Sequence, residues 1–169
     1  MSVRLGFVGT GGIAGHHLRT LTQLSDAQLV AFCDVVLDKA QSAASTYGGK
    51  AYDNYVQMFD SEKLDAVYLC LPPFAHGDQE LEAVKRGLPI FVDKPVATTA
   101  AKADEILAAI QKKKLTSAVG YHWRYMDLSA RARERLAGQA VGFALGSWTG
   151  GMPGVPWWRV MAQSGGQIV

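Results

Sequence analysis

The sequence predicts an α/β protein built on a doubly wound parallel sheet. Short apolar runs of strand length recur through residues 3–121, and between them apolar residues return at helical spacing. The runs are near-continuous rather than alternating, as in strands buried on both faces. Right-handed crossovers between such strands give the doubly wound order.

Val3–Val8 reads as the first strand. A helix over Gly11–Leu24 follows, with Ala14, His17, Leu18 and Leu21 at helical spacing, and Leu29–Cys33 is the second strand. Ala40, Ala43, Ala44 and Tyr47 then stand at i, i+3, i+4 and i+7, and Gly48 stops that helix. Ala51–Tyr52 reads as a short strand and Tyr55–Phe59 as a short helix. Ala66–Leu71 is a continuous apolar run, Gln79–Arg86 a helix ended by Gly87, and Ile90–Val92 the next strand. Thr98 or Thr99 caps a helix carrying Ala103, Ile106, Leu107 and Ile110. Thr116–Tyr121 is the last strand of this sheet.

After residue 121 the character changes. A helix is expected over Asp127–Leu136. Beyond it, residues 142–169 hold 7 of the 18 Gly, and residues 148–158 hold 3 of the 4 Trp. Val141–Trp148 reads as a strand of a new sheet without partners in the chain. The expected organisation is one domain over residues 1–121, followed by the truncated start of a second α/β domain over residues 122–169. A small self-contained appendage is the alternative.

Composition excludes several classes. The 169 residues carry 17 basic and 15 acidic side chains, a net charge of +2, too even for a nucleic-acid or membrane-surface protein. At 49% hydrophobic and 19% charged, the chain can bury a core. Its longest apolar run, Ala66–Ala75, is broken by Pro72 and Pro73 and falls short of the roughly 18 residues that a membrane helix needs. The glycine-punctuated N-terminus lacks the continuous apolar stretch of a signal peptide. Cys33 and Cys70 form no CxxC pair and read as reduced, buried thiols of a cytoplasmic protein. No metal site is expected, because His16 and His17 are adjacent and His76 and His122 lie far apart. Neither a GxSxG elbow nor a GKS/T phosphate loop occurs.

Chemistry enters at the first strand–helix junction. Gly9-Thr10-Gly11-Gly12-Ile13-Ala14 is a G-x-G-x-x-A dinucleotide fingerprint of the Rossmann type. Gly9 allows the tight turn, and Gly11 lets a pyrophosphate approach the backbone. Ala14 is small enough for helix–strand packing. The free N–H groups of Gly11 to Ile13 and the positive helix end then stabilise phosphate. Asp34 follows Ala14 by 20 residues, at the end of the second strand. A carboxylate there accepts hydrogen bonds from ribose hydroxyls and repels a 2′-phosphate. The next basic residue is Lys39, so NAD is expected over NADP.

Ligands of such sheets sit beyond the carboxyl ends of the strands. Leu71-Pro72-Pro73 follows one strand, where the prolines fix the backbone beside a nicotinamide ribose. His76 is placed at the start of the next helix, either facing the cofactor or simply capping and packing. Asp93-Lys94-Pro95 follows the next strand. Beside a cationic nicotinamide, Lys94 binds a substrate hydroxyl as its ammonium or deprotonates it as its amine. A surface lysine paired with Asp93 is the other reading. His122-Trp123-Arg124-Tyr125 follows the last strand, where Arg124 either clamps a polyol or carboxylate or bonds loop carbonyls.

In order and spacing these residues resemble the glucose–fructose oxidoreductase / inositol dehydrogenase / rhizopine-catabolism family (Gfo/Idh/MocA). The carrying features are Gly9 to Ala14, Asp34, Pro72-Pro73 with His76, Asp93-Lys94-Pro95 in place of the family's Glu-Lys-Pro, and Gly120 to Tyr125. The resemblance implies an NAD(P)-dependent dehydrogenase acting on a sugar or cyclitol hydroxyl, and a homo-oligomer for the full-length enzyme. It places Lys94 beside nicotinamide and substrate. Asp93 departs from the family's Glu by one methylene. Ser164-Gly165-Gly166-Gln167-Ile168-Val169 resembles the opening of the family's Gly-Gly motif, whose later His and Asp assist proton transfer and lie beyond this sequence. The expectation is therefore mainly a cofactor-binding half. The alternatives are a non-catalytic NAD(H)-binding module and an inactive fragment with an exposed patch of Trp148, Trp157 and Trp158.

Overall fold

The computed structural model describes residues 2–147, 149–151 and 153–166. β1 (Val3–Val8) lies between β2 (Ala27–Cys33) and β4 (Ala66–Leu69). β3 (Lys50–Tyr52) forms one edge; β5 (Ile90–Val92) and then β6 (Ser117–Val119) complete the other side. All pairings are parallel, in the order β3-β2-β1-β4-β5-β6. The strand order reverses at β1 and β4, which opens a crevice beyond their carboxyl ends.

Strand alternation divides the core into two layers. Leu5 and Phe7 of β1 pack on one face with Phe32, under α1 (Gly12–Leu21) and α2 (Leu37–Tyr47). Val8, Val67 and Leu69 pack on the other, under α3 (Tyr55–Ser61), α4 (Asp78–Lys85) and α5 (Ala100–Lys113). Phe7 is fully buried. Truncating such a side chain to Ala costs about 3–5 kcal/mol, a large share of a domain's ~5–15 kcal/mol stability. Packing on both faces therefore fixes the strand that carries the glycine turn.

The caps follow the sequence pattern. The Asn54 side chain accepts from Gln57 N at 3.1 Å, and the Thr99 hydroxyl from Lys102 N at 3.3 Å. Gly48, at φ 79°, ends α2. Some boundaries shift. The run expected to Leu71 pairs only as far as Leu69, opposite Val92, where the β5 ladder ends. The last strand is trimmed to Ser117–Val119, and α1 ends at Leu21. In α5, Ile106 is buried but Leu107 is half exposed, one helical step off the packed stripe.

His76 does not start a helix. A 3₁₀ turn over Pro73–Ala75 precedes it, and α4 begins at Asp78. Gly77, at φ 139°, separates the two, and its N–H donates to Glu80 Oε2 at 2.6 Å. The His76 ring is consequently turned inward rather than presented at the helix end.

Residues 141–147 form no strand, because the described residues offer them no neighbour for a ladder. Trp148 and Gln167, Ile168 and Val169 lie outside the described residues. α6 (Asp127–Leu136) is present as expected and buries no residue. The chain then returns to the sheet. A 3₁₀ turn over Pro156–Arg159 leads into α7 (Met161–Ser164), which packs on the Pro73–Ala75 turn and buries Ser164. Among the described residues no helix is long and apolar enough to cross a membrane. Both cysteines are buried free thiols.

Candidate functional site

A cavity of about 940 Å³ occupies the crevice at the strand ends. The first turn brings Gly9, Gly11, Gly12 and Ile13 to it, and the end of β2 brings Asp34. Leu71, Pro72 and Pro73 enter after β4; Asp93, Lys94 and Pro95 enter after β5. Eleven residues from four separate stretches of sequence thus share one wall. Ala14 is fully buried behind it, against the sheet.

The three glycines are glycine for different reasons. Gly9 has φ 86°, and a Cβ there would lie 2.3 Å from the Cys70 carbonyl oxygen. The fold itself requires it. Gly11 has an ordinary φ of −76°, and a Cβ on Gly11 or Gly12 would meet nothing within 4 Å. Packing does not demand glycine at either position. Both face the cavity, so their missing side chains leave a cradle for a ligand against the backbone. The helix start above this cradle has no side-chain cap and no acidic residue in its first turn. Unbonded amides and the positive helix end make it an anion site. This arrangement fits the pyrophosphate of a dinucleotide.

Asp34 faces the cradle. Its Oδ2 accepts from Thr10 N at 2.9 Å and from the Thr10 hydroxyl at 3.2 Å, and its Oδ1 accepts from Val36 N at 3.0 Å. The carboxylate is therefore held in place beside the cradle. Lys39 of α2 also lines the cavity. The thiol of Cys33 is pushed up to about 12, first by burial and then by the charges of Asp34 and Asp53.

At the other end, Asp93 is almost buried. Gly120 makes room for it, because a Cβ there would lie 2.9 Å from Asp93 Oδ1. The Lys94–Pro95 peptide is cis. Lys94 Nζ sits 5.8 Å from the ring centroid of Trp158. Trp157 and Trp158 are half-buried and line the cavity, rather than standing exposed as in the inactive-fragment alternative; Trp148 lies outside the described residues.

Three expected site residues stand apart from the wall. The His76 side chain is fully enclosed: Nδ1 meets Glu80 Oε1 at 2.6 Å and Nε2 meets the Leu71 carbonyl at 3.1 Å. Its Nε2 meets the cavity wall at the Leu71 carbonyl. His122 and Arg124 lie on an exposed 3₁₀ turn, where the Arg124 carbonyl accepts from Arg133 Nη2 at 2.8 Å; neither lines the cavity. Tyr121, just before them, does. Sequence reasoning missed Tyr55, Gln79, Val155 and the two tryptophans of the returning chain. Among the described residues no cluster of three His, Cys, Asp or Glu is placed to hold a metal ion.

Sheet order, the glycine cradle and the carboxylate beside it define a dinucleotide-binding α/β domain. The chain belongs to the GFO_IDH_MocA oxidoreductase family, with an NAD-binding Rossmann fold matched over residues 3–121. It is 33% identical over 129 residues to inositol 2-dehydrogenase of Salmonella typhimurium, covering 74% of this chain and 38% of that protein. It is 26% identical over 124 residues to glucose-6-phosphate 3-dehydrogenase of Bacillus subtilis, covering 73% and 35%. The crystal structure of myo-inositol dehydrogenase from Lactobacillus casei, in complex with NAD(H) and myo-inositol, superposes with a TM-score of 0.76 at 29% identity, covering 80% of this chain and 41% of that one. The chain thus spans well under half the length of these relatives.

Proposed function

We propose that this chain supplies the cofactor-binding half of a dehydrogenase that moves a hydride between nicotinamide and a hydroxyl-bearing carbon of a sugar or cyclitol, with NAD preferred to NADP. Residues 1–121 form the cofactor domain in this reading, and residues 122–169 open the substrate side. The observation that carries it is the open space at Gly11 and Gly12, opposite Asp34 and in the same cavity as Lys94. That relatives are an inositol 2-dehydrogenase and a glucose-6-phosphate 3-dehydrogenase supports the substrate class.

The residues divide the work by position. Backbone N–H groups from Gly11 to Ile13 hold the pyrophosphate, and Asp34 holds the adenosine ribose. A 2′-phosphate at that point would meet a carboxylate, which favours NAD. The nicotinamide, when bound, supplies the hydride acceptor. Lys94 stands at the far end of the cavity with three rotatable donors. It orients the substrate oxygen, accepting the hydroxyl proton as the amine and returning a proton to the carbonyl oxygen as the ammonium. Trp158 keeps the ammonium on one side by cation–π attraction.

Titration with NADH and NADPH, followed by nicotinamide fluorescence, tests the cofactor assignment. Saturable binding that favours NADH is expected. Binding of neither nucleotide would remove the reading.

A further inference from the structure

Gln79 carries a polar atom that the fold leaves unpaired. Its amide oxygen is shut off from solvent and, among the described residues, accepts no hydrogen bond. Folded proteins pair nearly all such atoms, so an orphaned acceptor marks a partner still to come. Gln79 stands in the first turn of α4 and lines the cavity.

Its position is the adenosine half. α4 packs on α3, and the charges of Asp78 and Glu82 act on Tyr55. Tyr55 itself lines the cavity, as does Asp34. The nearby walls are apolar: Val35 and Val36 follow Asp34, and Leu71 and Pro72 come from the end of β4. Val35 is 93% exposed and Val36 46%. Two uncovered aliphatic side chains beside a ribose-binding carboxylate suit the flat face of a heteroaromatic base. The edge of that base needs a polar partner. Adenine presents an exocyclic amine, which donates, and an amide oxygen only accepts. The terminal torsion of glutamine is broad and two-fold, so the amide can turn toward the cavity without backbone movement.

We propose that Gln79 reads the adenine base of the dinucleotide, its Oε1 accepting a hydrogen bond from the exocyclic amine. The assignment rests on the dinucleotide reading above and deepens it.

The test uses reduced nicotinamide hypoxanthine dinucleotide, which has a carbonyl oxygen where adenine has its amine. The chain is titrated with this analogue and with NADH, following nicotinamide fluorescence. One lost hydrogen bond predicts that NADH binds about five- to tenfold tighter than the analogue. Gln79→Met keeps the side-chain length and removes the acceptor, so its NADH affinity falls to that of the analogue. Gln79→Glu keeps an acceptor and retains the preference. Equal affinity of the wild-type chain for the two nucleotides overturns the proposal, and so does a preference that survives in Gln79→Met. The wild-type comparison needs no variant and stands even if Gln79→Met does not fold. Binding of neither nucleotide overturns the cofactor reading itself, and this assignment with it.

Discussion

The backbone amide and the hydroxyl of Thr10 both donate to Asp34 Oδ2, at 2.9 and 3.2 Å. The tip of the glycine turn is thereby tied to the end of β2 across the mouth of the cavity. Asp34 holds the turn in place before any ligand arrives. The hydroxyl contact is the longer of the two.

In the proposed reading, Asp34→Ala removes charge-assisted hydrogen bonds to the ribose. NADH affinity should fall about 10- to 100-fold. NADPH should lose less, because the repelling carboxylate is gone and Lys39 remains in the wall. Fluorescence titration of both nucleotides at fixed salt measures the ratio. An unchanged preference for NADH would mean that Asp34 does not read the ribose.

Gly9 and Gly11 should fail in opposite ways. Gly9→Ala puts a Cβ against the Cys70 carbonyl at a left-handed backbone angle, and should cost about 2–4 kcal/mol of stability. Gly11→Val places its side chain in open space, so the fold should persist while nucleotide binding is lost. Denaturant unfolding and NADH titration of the two variants separate these effects.

Lys94→Ala should leave NADH affinity within about twofold. In any form of the enzyme that turns over, kcat should fall far more than that. Equal turnover in the variant would take Lys94 out of the chemistry.

His17 packs on Tyr68 and Phe91 with its Nε2 buried and, among the described residues, unpaired. Burial lowers its pKa below the ordinary 6.5, and the opposing charge of Asp93 does not restore it. The unfolded chain therefore takes up this proton at higher pH than the folded one. The stability that neutral His17 contributes is complete above pH 6.5 and is lost as pH falls from there through the folded value. His17→Phe keeps an aromatic ring and removes the titration. Its unfolding midpoint should fall less than the wild type's between pH 8 and pH 5.

What the sequence disclosed was local. Val3–Val8, the Ala40-Ala43-Ala44-Tyr47 stripe and the glycine fingerprint each declare themselves within a few residues. Asp34 was legible because a fixed helix length sets its distance from Ala14. The two tryptophans were not: their place in the cavity depends on how the chain after residue 121 comes back across the sheet, and no periodicity encodes that path. The inward turn of His76 follows from Glu80 at i+4, a spacing visible in the sequence, but the positive φ of Gly77 decides which way the ring faces. Gln79 gave no signal, because an orphaned oxygen is a property of its surroundings.

β1 has hydrogen-bonded neighbours on both sides, whereas β3 and β6 each have one and are three residues long. Amide exchange with deuterated solvent should therefore slow from the rims toward the middle, with β1 amides opening only on global unfolding. The phosphate cradle hangs from this slowest strand. Rims can fray and reseal many times while the cradle keeps its shape, so nucleotide capture should outlast considerable loosening elsewhere in the molecule.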